Sequence, residues 1–369
     1  MDFKKLLRQG IVNSVPYSPG RPMEEVRRER GLLEVIKLAS NENPHPPSPR
    51  VLAAITRAAS ELNRYPDGAC HDLTQALARR LGVAPQALLL GNGSNEVLDL
   101  LIRALVSPGE NLVHAHPSFI VYPLTAQLHF ECGRAVPLDA ADTHDLPAMA
   151  RAVDERTKLV FVCNPNNPTG TINGAGELKD FVASLPQRVV VVLDEAYQEY
   201  VTHADYPDTL PWLQEFPNLV IARTFSKIHS LAGLRVGYAV GHPALMAELH
   251  KTREPFNVNS LAQAAALACV EEWDSIVPQR REENARERQR LAQALTTMGW
   301  QVTPSQANFL LVRVPGRSAA ALCENLLDRG IIVRPMTAFG LGQGALRITV
   351  GLPEENDRLL TVLEELAAA

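Results

Sequence analysis

The chain has 369 residues, of which 46% are hydrophobic and 21% charged, and its net charge at pH 7 is −5. This length allows two or three domains around a large core, and the composition is typical of a soluble globular protein. The slightly acidic balance, with both signs interspersed, argues against nucleic acid as a partner. No apolar run approaches the length of a membrane span, so we expect no membrane partner.

Five cysteines are spread along the chain without a C-x-x-C pair. An odd number of distant cysteines predicts reduced thiols in a cytosol-like compartment rather than a disulfide framework. The first ten residues, MDFKKLLRQG, are charged and lack an apolar centre, which does not fit a signal peptide. We therefore expect a cytoplasmic protein.

The N-terminal 40 residues carry many prolines and charges and show little periodicity. Residues 15–22 (VPYSPGRP) predict an extended arm, because proline restricts both itself and the residue before it. Residues 24–30 predict a short helix and residues 35–38 a strand. The proline-rich segment 41–49 would ordinarily be a stiff surface loop.

Residues 48–63 and 72–81 have helical spacing. Tyr65 lies in the turn between them, a position more typical of packing than of ligand binding.

Residues 87–90 then predict a strand, which the glycine-containing turn GNGSNE separates from the next helix. This order directs free backbone N–H groups at a phosphate. The third glycine of a dinucleotide fingerprint is missing, so a nicotinamide cofactor is not indicated.

Four further apolar runs, at 111–115, 158–163, 188–193 and 219–222, predict buried parallel strands. Polar or aromatic residues follow each of them, and in an open α/β sheet the ligand binds beyond the carboxyl ends of the strands. These candidate residues are Phe119, Asn167, Asp194, Tyr197, Thr224, Ser226 and Lys227. His114 and His116 alternate on one strand, but no carboxylate or cysteine at ligand spacing completes a site, so we expect no metal.

The segment 224–238, TFSKIHSLAGLRVGY, is the most informative part of the chain. Lys227 follows a strand and is flanked by the hydroxyls of Thr224 and Ser226, with Arg235 eight residues on. Two hydroxyls and a guanidinium suit a phosphate monoester, and a lysine among them suggests an amine held for covalent chemistry. A lone lysine would ordinarily be a surface charge; these neighbours favour the functional interpretation.

The C-terminal third predicts a small α+β unit. Helices are expected over 260–270, 273–298 and 318–329, strands over 308–314 and 345–350, and a last helix from Pro353. Arg334 and Arg347 lie on or beside the predicted strands, where an exposed arginine is commonly an ordinary surface charge.

Together these motifs resemble the pyridoxal-phosphate (PLP) aminotransferases of fold type I, and are particularly similar to the histidinol-phosphate aminotransferase subfamily. The similarity extends from residue 17 to 351, through P-Y-x-P-G-x-P, L-A-S-N-E-N-P, R-Y-P-D, N-P-x-N-P-T-G and S-K-x-x-x-L-A-G-L-R. His229 and Ser230 depart from it, because the subfamily pattern has an aromatic or apolar residue and a glycine there.

The resemblance implies an α/β fold with a large doubly wound, mostly parallel sheet domain and a small α+β domain. The predicted domains are 1–40 (arm and part of the small domain), 41–255 (large PLP-binding domain) and 256–369 (small domain). It also implies a homodimer in which the arm of one subunit reaches the active site of the other.

Residue roles follow from the same resemblance. Lys227 would hold PLP covalently and act as general base and acid, and Asp194 would keep the ring nitrogen protonated. Asn167 and Tyr197 would contact the phenolic oxygen, and Phe119 would stack on the ring. The remaining cofactor ligands would be Ser94, Asn95, Thr224, Ser226, Arg235 and Tyr65 of the neighbouring subunit. The substrate ligands would be Tyr17, Asn167, Arg334 and Arg347.

The implied reaction is transamination between a small amino donor and a 2-oxo acid, with histidinol phosphate and 2-oxoglutarate giving imidazole acetol phosphate and glutamate. An aromatic aminotransferase would share every chemical residue and differ only in its pocket. A threonine-phosphate decarboxylase would run a different reaction on a similar scaffold. A binding module that kept the fold would be expected to have lost Lys227 or Asp194, and both are present.

Overall fold

The computed structural model describes residues 1–16, 20–130 and 132–368. The strands within these ranges are β1 (Ile36–Lys37), β2 (Leu88–Gly91), β3 (Asn111–His116), β4 (Gly133–Pro137), β5 (Thr157–Cys163), β6 (Val190–Asp194), β7 (Leu219–Thr224), β8 (Gly237–Gly241), β9 (Gln301–Val302), β10 (Phe309–Arg313), β11 (Ile331–Ile332), β12 (Arg334–Pro335) and β13 (Ala345–Thr349). The α-helices are α1 (Gln9–Val12), α2 (Met23–Arg30), α3 (Pro49–Ala59), α4 (His71–Leu81), α5 (Ser94–Leu105), α6 (Val121–His129), α7 (Leu146–Arg151), α8 (Ala175–Ser184), α9 (Pro243–His250), α10 (Ser260–Glu271), α11 (Trp273–Thr297), α12 (Ala319–Leu327) and α13 (Pro353–Ala368).

The larger sheet has the strand order β2-β8-β7-β6-β5-β3-β4. Strands β7, β6, β5, β3 and β4 are parallel, and β8 runs antiparallel to both of its neighbours. The carboxyl ends of β2, β3, β5, β6 and β7 therefore meet at one edge. The predicted fold class, α/β with a large, mostly parallel sheet, is confirmed.

Helices cover both faces of this sheet, which explains why its strands are apolar without alternation. One face packs against α5, α6 and α9. The other face packs against α7 and α8, and near β2 and β8 against α3, α4 and α10. Since both faces are buried, each central strand supplies side chains to two cores.

The smaller sheet, β12-β13-β10-β9, is antiparallel and packs against α11, α12 and α13. Strand β1 pairs in parallel with β11, so an N-terminal segment joins this C-terminal unit. Helix α10 instead shares the core of α3 and α4, through residues such as Ala262 and Ala265. The domain boundary between residues 255 and 256 stays a prediction.

Elements that lacked a sequence signal lie mainly at the edges. Strand β4 is the outer strand of the large sheet, and in its burial pattern only Val136 is buried, so it has no apolar run. Helix α6 contains Pro123, which is tolerated because it falls in the first turn. A 3₁₀ turn (Phe3–Leu6) and α1 precede the segment 15–22 that was predicted to be extended, and the described residues of that segment lie outside helices.

The two residues that depart from the family pattern follow Lys227 in a tight turn. His229 is buried between Phe225 and Trp273, with ring-centre distances of 5.0 and 4.4 Å. Burial lowers the pKa of its imidazole to about 3, so it packs as a neutral aromatic ring. Ser230 donates its N–H to the Lys227 carbonyl at 3.0 Å and has φ 61°, a left-handed conformation that favours glycine. The turn thus keeps the shape that a glycine would give.

Replacing Ser230 by glycine should stabilise the protein. The left-handed backbone costs a non-glycine residue roughly 1–2 kcal/mol, and the buried Ser230 hydroxyl has no hydrogen-bond partner among the described residues. After the entropy cost of glycine, a net gain of about 1 kcal/mol in the free energy of unfolding is expected from urea denaturation. Ser60→Gly is the control, because Ser60 has φ −69° and should lose stability. Equal effects at the two positions would contradict this account.

Candidate active site

A cavity of about 260 Å³ lies between the carboxyl edge of the larger sheet and strands β12 and β13 of the smaller sheet. It brings together all but two of the site residues predicted from the sequence. Its wall includes Ser94, Asn95, Phe119, Asn167, Asp194, Tyr197, Thr224, Ser226, Lys227, Arg235, Arg334 and Arg347.

The remaining two predicted residues are tyrosines. Tyr65 lies away from the cavity, is 83% exposed, and stacks on the half-exposed ring of Phe256 at 4.7 Å between ring centres. Tyr17 lies outside the described residues. An exposed aromatic pair such as Tyr65 and Phe256 is available for contact with another molecule.

Asp194 ends β6 at the base of the cavity and is 1% exposed. One carboxylate oxygen accepts a 2.7 Å hydrogen bond from the Tyr122 hydroxyl, and the other accepts one from the Ala196 N–H at 3.3 Å. Burial raises the pKa of the carboxyl to about 6, against the opposing effect of Tyr122. A buried acid of this kind favours a cationic partner.

Tyr122, on α6, was not found by sequence reasoning. It contacts Phe119 edge to face at 5.6 Å and stacks on Phe161 at 4.7 Å. An aromatic residue in an apolar helix is normally a packing residue, and its hydroxyl meets Asp194 only through the fold. The weak signal available was its position three residues after Phe119.

Tyr197 is positioned by a second residue that the sequence did not reveal. The Asn41 side chain donates to the Tyr197 hydroxyl at 3.0 Å. Asn41 has φ 54°, and its backbone N–H donates to Thr349 Oγ1 at 2.9 Å. The loop 41–49 would ordinarily be a stiff surface segment, but the L-A-S-N-E-N-P motif associated it with the active site, and Asn41 does line the cavity of its own chain.

Lys227 extends from the turn after β7 towards the Tyr197 ring, with its Nζ 5.4 Å from the ring centre. Burial lowers the pKa of the amine to about 8, and the charges of Arg347 and Arg235 act in the same direction, whereas Glu42 and Asp194 oppose them. An amine with this pKa has an accessible neutral form near physiological pH, as a nucleophile and a proton acceptor both require.

Hydroxyls, a guanidinium and a helix N-terminus converge at the other end of the cavity. Ser226 donates its N–H to Thr224 Oγ1 at 3.1 Å, and Arg235 Nη1 donates to Ser226 Oγ at 3.4 Å. Helix α5 begins at Ser94, directly after Gly93. A Cβ at Gly93 would lie 2.6 Å from Arg235 Nη2, so glycine lets the guanidinium cross the helix N-terminus. This donor set suits a phosphate.

Two arginines face the cavity from adjacent strands of the small sheet. Arg334 on β12 and Arg347 on β13 are direct register partners. Arg347 donates to Asn167 Oδ1 at 2.6 Å and to the Ala39 carbonyl at 2.8 Å, and thereby connects the smaller sheet to the loop after β5. Like charges directly opposite each other in a sheet are unfavourable, and an anionic ligand between them would offset this cost.

All five cysteines are free thiols. The described part of the chain has no group of three or more His, Cys, Asp or Glu side chains placed to hold a metal ion. Within the same part, helices both long and apolar enough to span a bilayer are absent.

The buried charge of Asp194 should reduce the stability of the cofactor-free protein. Its pKa of about 6 in the folded state exceeds the ordinary value of 3.8, so the folded state holds the proton more tightly between these values. The penalty therefore grows as pH rises from 4 to 6, and reaches about 3 kcal/mol above that window. Asp194→Asn should be more stable than wild type by up to this amount at pH 7.5, with little difference at pH 4.

Urea denaturation of both cofactor-free proteins across this pH range measures the difference. Asp145→Asn is the matched control, because Asp145 caps α7 through a 2.8 Å bond from the Ala148 N–H. Asparagine caps a helix equally well, so the control should gain no stability as the pH rises. A pH-independent difference for Asp194→Asn would show that its charge is not the cause.

Comparison with known proteins agrees with this geometry. Residues 34–363 match the family described as aminotransferase class I and II. The chain is 47% identical to histidinol-phosphate aminotransferase 1 of Nitrosococcus oceani over 362 residues, which covers 98% of this chain and 97% of the relative. It is 46% identical to histidinol-phosphate aminotransferase 2 of Pseudomonas fluorescens over 369 residues, covering 100% and 99%.

A solved structure also aligns along nearly the whole chain. It is the histidinol-phosphate aminotransferase of Sinorhizobium meliloti in complex with pyridoxal-5'-phosphate, with a TM-score of 0.85 and 29% identity. The match covers 97% of this chain and 98% of that one. The chain therefore belongs to the class I and II aminotransferases.

Proposed function

We propose that this aminotransferase uses pyridoxal phosphate to transfer the amino group of histidinol phosphate to 2-oxoglutarate, as a cytoplasmic step of histidine biosynthesis. The observation that carries the choice of substrate is the cross-strand pair Arg334 and Arg347 at the substrate end of the cavity. Relatives with 46–47% identity that are named histidinol-phosphate aminotransferases support the same choice.

The residues present fit pyridoxal phosphate. The cofactor has a phosphate, a basic ring nitrogen, a phenolic oxygen and an aldehyde, and the cavity offers a complementary group for each. The Arg235 end suits the phosphate, and the buried Asp194 carboxyl, with its raised pKa, suits a protonated ring nitrogen. Asn167 and Tyr197 would bind the phenolic oxygen, and the Lys227 amine would hold the aldehyde carbon.

When bound, pyridoxal phosphate supplies an electron-withdrawing ring that stabilises the charge left on the substrate when its α-proton is removed. Once the incoming amino donor replaces Lys227 at the aldehyde carbon, the released amine would take that proton on Nζ and return it in the next step. Its pKa of about 8 makes the neutral amine available near neutral pH. Tyr122 orients the Asp194 carboxylate through its 2.7 Å bond, and Asn41 orients the Tyr197 hydroxyl in the same way at 3.0 Å.

The arginine pair distinguishes between amino donors. Histidinol phosphate carries a dianion to which two guanidiniums can donate, at roughly 1.5–3 kcal/mol for each charge-assisted hydrogen bond. An aromatic amino acid has an uncharged ring at that end. Glutamate, the product of the second half-reaction, can use the same arginines through its carboxylates.

Replacing Arg334 by alanine should remove most of this discrimination. For wild type we expect kcat/KM with histidinol phosphate to exceed that with phenylalanine by at least about 100-fold, equivalent to some 2.7 kcal/mol. In Arg334→Ala the ratio should fall towards unity, while turnover of phenylalanine changes little. Arg329→Ala, a partly exposed charge outside the cavity, is the control and should keep the wild-type ratio.

Steady-state kinetics with both donors, together with product analysis, test the whole proposal. Preference of wild type for phenylalanine would favour the aromatic aminotransferase. Release of CO₂ in place of keto-acid formation would favour the threonine-phosphate decarboxylase. Absence of turnover with every donor and acceptor would favour a binding module.

We also propose a homodimer with shared active sites, in which Tyr65 contacts the cofactor phosphate of the neighbouring subunit. The exposed stack of Tyr65 on Phe256, away from the chain's own cavity, supports this arrangement. Tyr17 of the arm would reach the neighbouring substrate in the same way.

Mixed dimers test the sharing. In a dimer of one Tyr65→Phe subunit and one Lys227→Ala subunit, one active site would be complete if Tyr65 serves the neighbour. Random reassembly of equal amounts should then restore about one quarter of wild-type activity. Activity no greater than that of Tyr65→Phe alone, or an active monomer by sedimentation, would contradict shared sites.

A further inference from the structure

A buried ion pair lies directly beside the residues that would hold the cofactor. Arg223 donates from Nε to Glu195 Oε2 at 2.9 Å, and its Nη2 lies 2.8 Å from the same oxygen. The other carboxylate oxygen accepts a 2.5 Å hydrogen bond from the Thr209 hydroxyl. The side chains of Arg223 and Glu195 are only 7% and 3% exposed. Neither residue lines the cavity, so the proposed chemistry does not use them.

The pair joins two strands at the point where their backbone pairing ends. Asp194 is the last residue of β6 in register with β7, and the Glu195 N–H donates to the Ala222 carbonyl at 2.8 Å just beyond it. Glu195 directly follows Asp194, and Arg223 directly precedes Thr224. Side chains alternate along a strand, so the Arg223 side chain lies on the face opposite that of Thr224. The ion pair therefore braces the two strand ends from behind the cofactor ligands.

Stability alone does not account for two buried charges here, since apolar residues of similar volume are often at least as stabilising. The Arg223 guanidinium donates from two nitrogens to the Glu195 carboxylate, which Thr209 also holds. Such a pair fixes the relative position of the two strand ends. The residues whose relative position it fixes are Asp194, at the ring-nitrogen end, and Thr224, at the phosphate end.

We propose that Glu195, Arg223 and Thr209 form a positioning unit that sets the distance between the ring-nitrogen and phosphate subsites, so that one cofactor molecule engages both at once. The inference rests on the proposed use of pyridoxal phosphate. Each subsite has its own ligands and can bind its part of the cofactor separately. A single cofactor molecule can occupy both subsites only if the distance between them is correct, and the positioning unit sets that distance.

The test replaces the unit by apolar residues of similar size, in the triple variant Glu195→Leu/Arg223→Met/Thr209→Val. The variant removes the ion pair as a whole, and the buried Glu199, which the charge of Arg223 also stabilises, can bind a proton instead, because burial raises its pKa to about 7. At pH 6 the cofactor-free variant should therefore keep the wild-type midpoint of urea denaturation or exceed it. Titration of the cofactor-free proteins, followed by fluorescence, then gives dissociation constants for inorganic phosphate, pyridoxal and pyridoxal phosphate.

A positioning role predicts that phosphate and pyridoxal bind the variant within about threefold of wild type, whereas the dissociation constant for pyridoxal phosphate rises at least tenfold. Unchanged affinity for pyridoxal phosphate would overturn the proposal. Equal losses for all three ligands, or a variant that no longer folds, would also overturn it, because the unit would then serve the local structure only.

Two controls, a destabilised variant and the wild-type protein, separate positioning from other causes of weak binding. Val191→Ala lowers stability in the core beside β6 without touching the unit, and should leave the affinity for pyridoxal phosphate unchanged. A loss as large as that of the triple variant would count against positioning. Failure of wild type itself to bind pyridoxal phosphate would refute the proposed cofactor, whereas normal binding by both wild type and the triple variant would refute this inference alone.

Discussion

The buried carboxylate of Asp194 is the constraint on which the site depends. A charge in an apolar core is unfavourable unless something compensates it, and here a single tyrosine hydroxyl and one distant N–H do so incompletely. The raised pKa expresses the remaining cost, since the folded chain holds the proton longer than the unfolded chain does. A protonated ring nitrogen would remove that cost. The free energy by which Asp194 destabilises the cofactor-free protein would then contribute to cofactor binding.

Away from Asp194, the charges of the cavity wall favour anionic ligands. Among the described residues, the wall contains the basic side chains of Lys227, Arg235, Arg334 and Arg347 and the carboxyl groups of Asp194 and Glu42. A concave site with an excess of basic groups attracts anionic ligands and also lowers the pKa of any further base within it. Lys227 experiences this effect, because Arg347 and Arg235 both destabilise its protonated form. The groups that would bind phosphates and carboxylates therefore also adjust the base.

The sequence was sufficient to predict those site residues that directly follow a buried strand. Buried strands are continuous apolar runs and their carboxyl ends share one edge, so residues just beyond them could be grouped without the structure. Helix α3 begins at Pro49 after Ser48, as local capping rules predict. Tyr122 and Asn41 were missed because each acts through one hydrogen bond to a residue at least 72 positions away, which periodicity cannot show. Strand β4 was missed because an outer strand needs no apolar run.

Two residues of the cavity wall have a strained backbone. Asn41 and Arg235 both have positive φ, at 54° and 59°. Each left-handed residue costs free energy, and such residues persist where the surrounding structure holds them. Asn41 is held through Thr349 and positions Tyr197, whereas Arg235 is held through the Ala232 carbonyl and crosses the start of α5. Both strained residues therefore direct a polar side chain into the site. The packing of the large sheet offsets the free-energy cost of this strain.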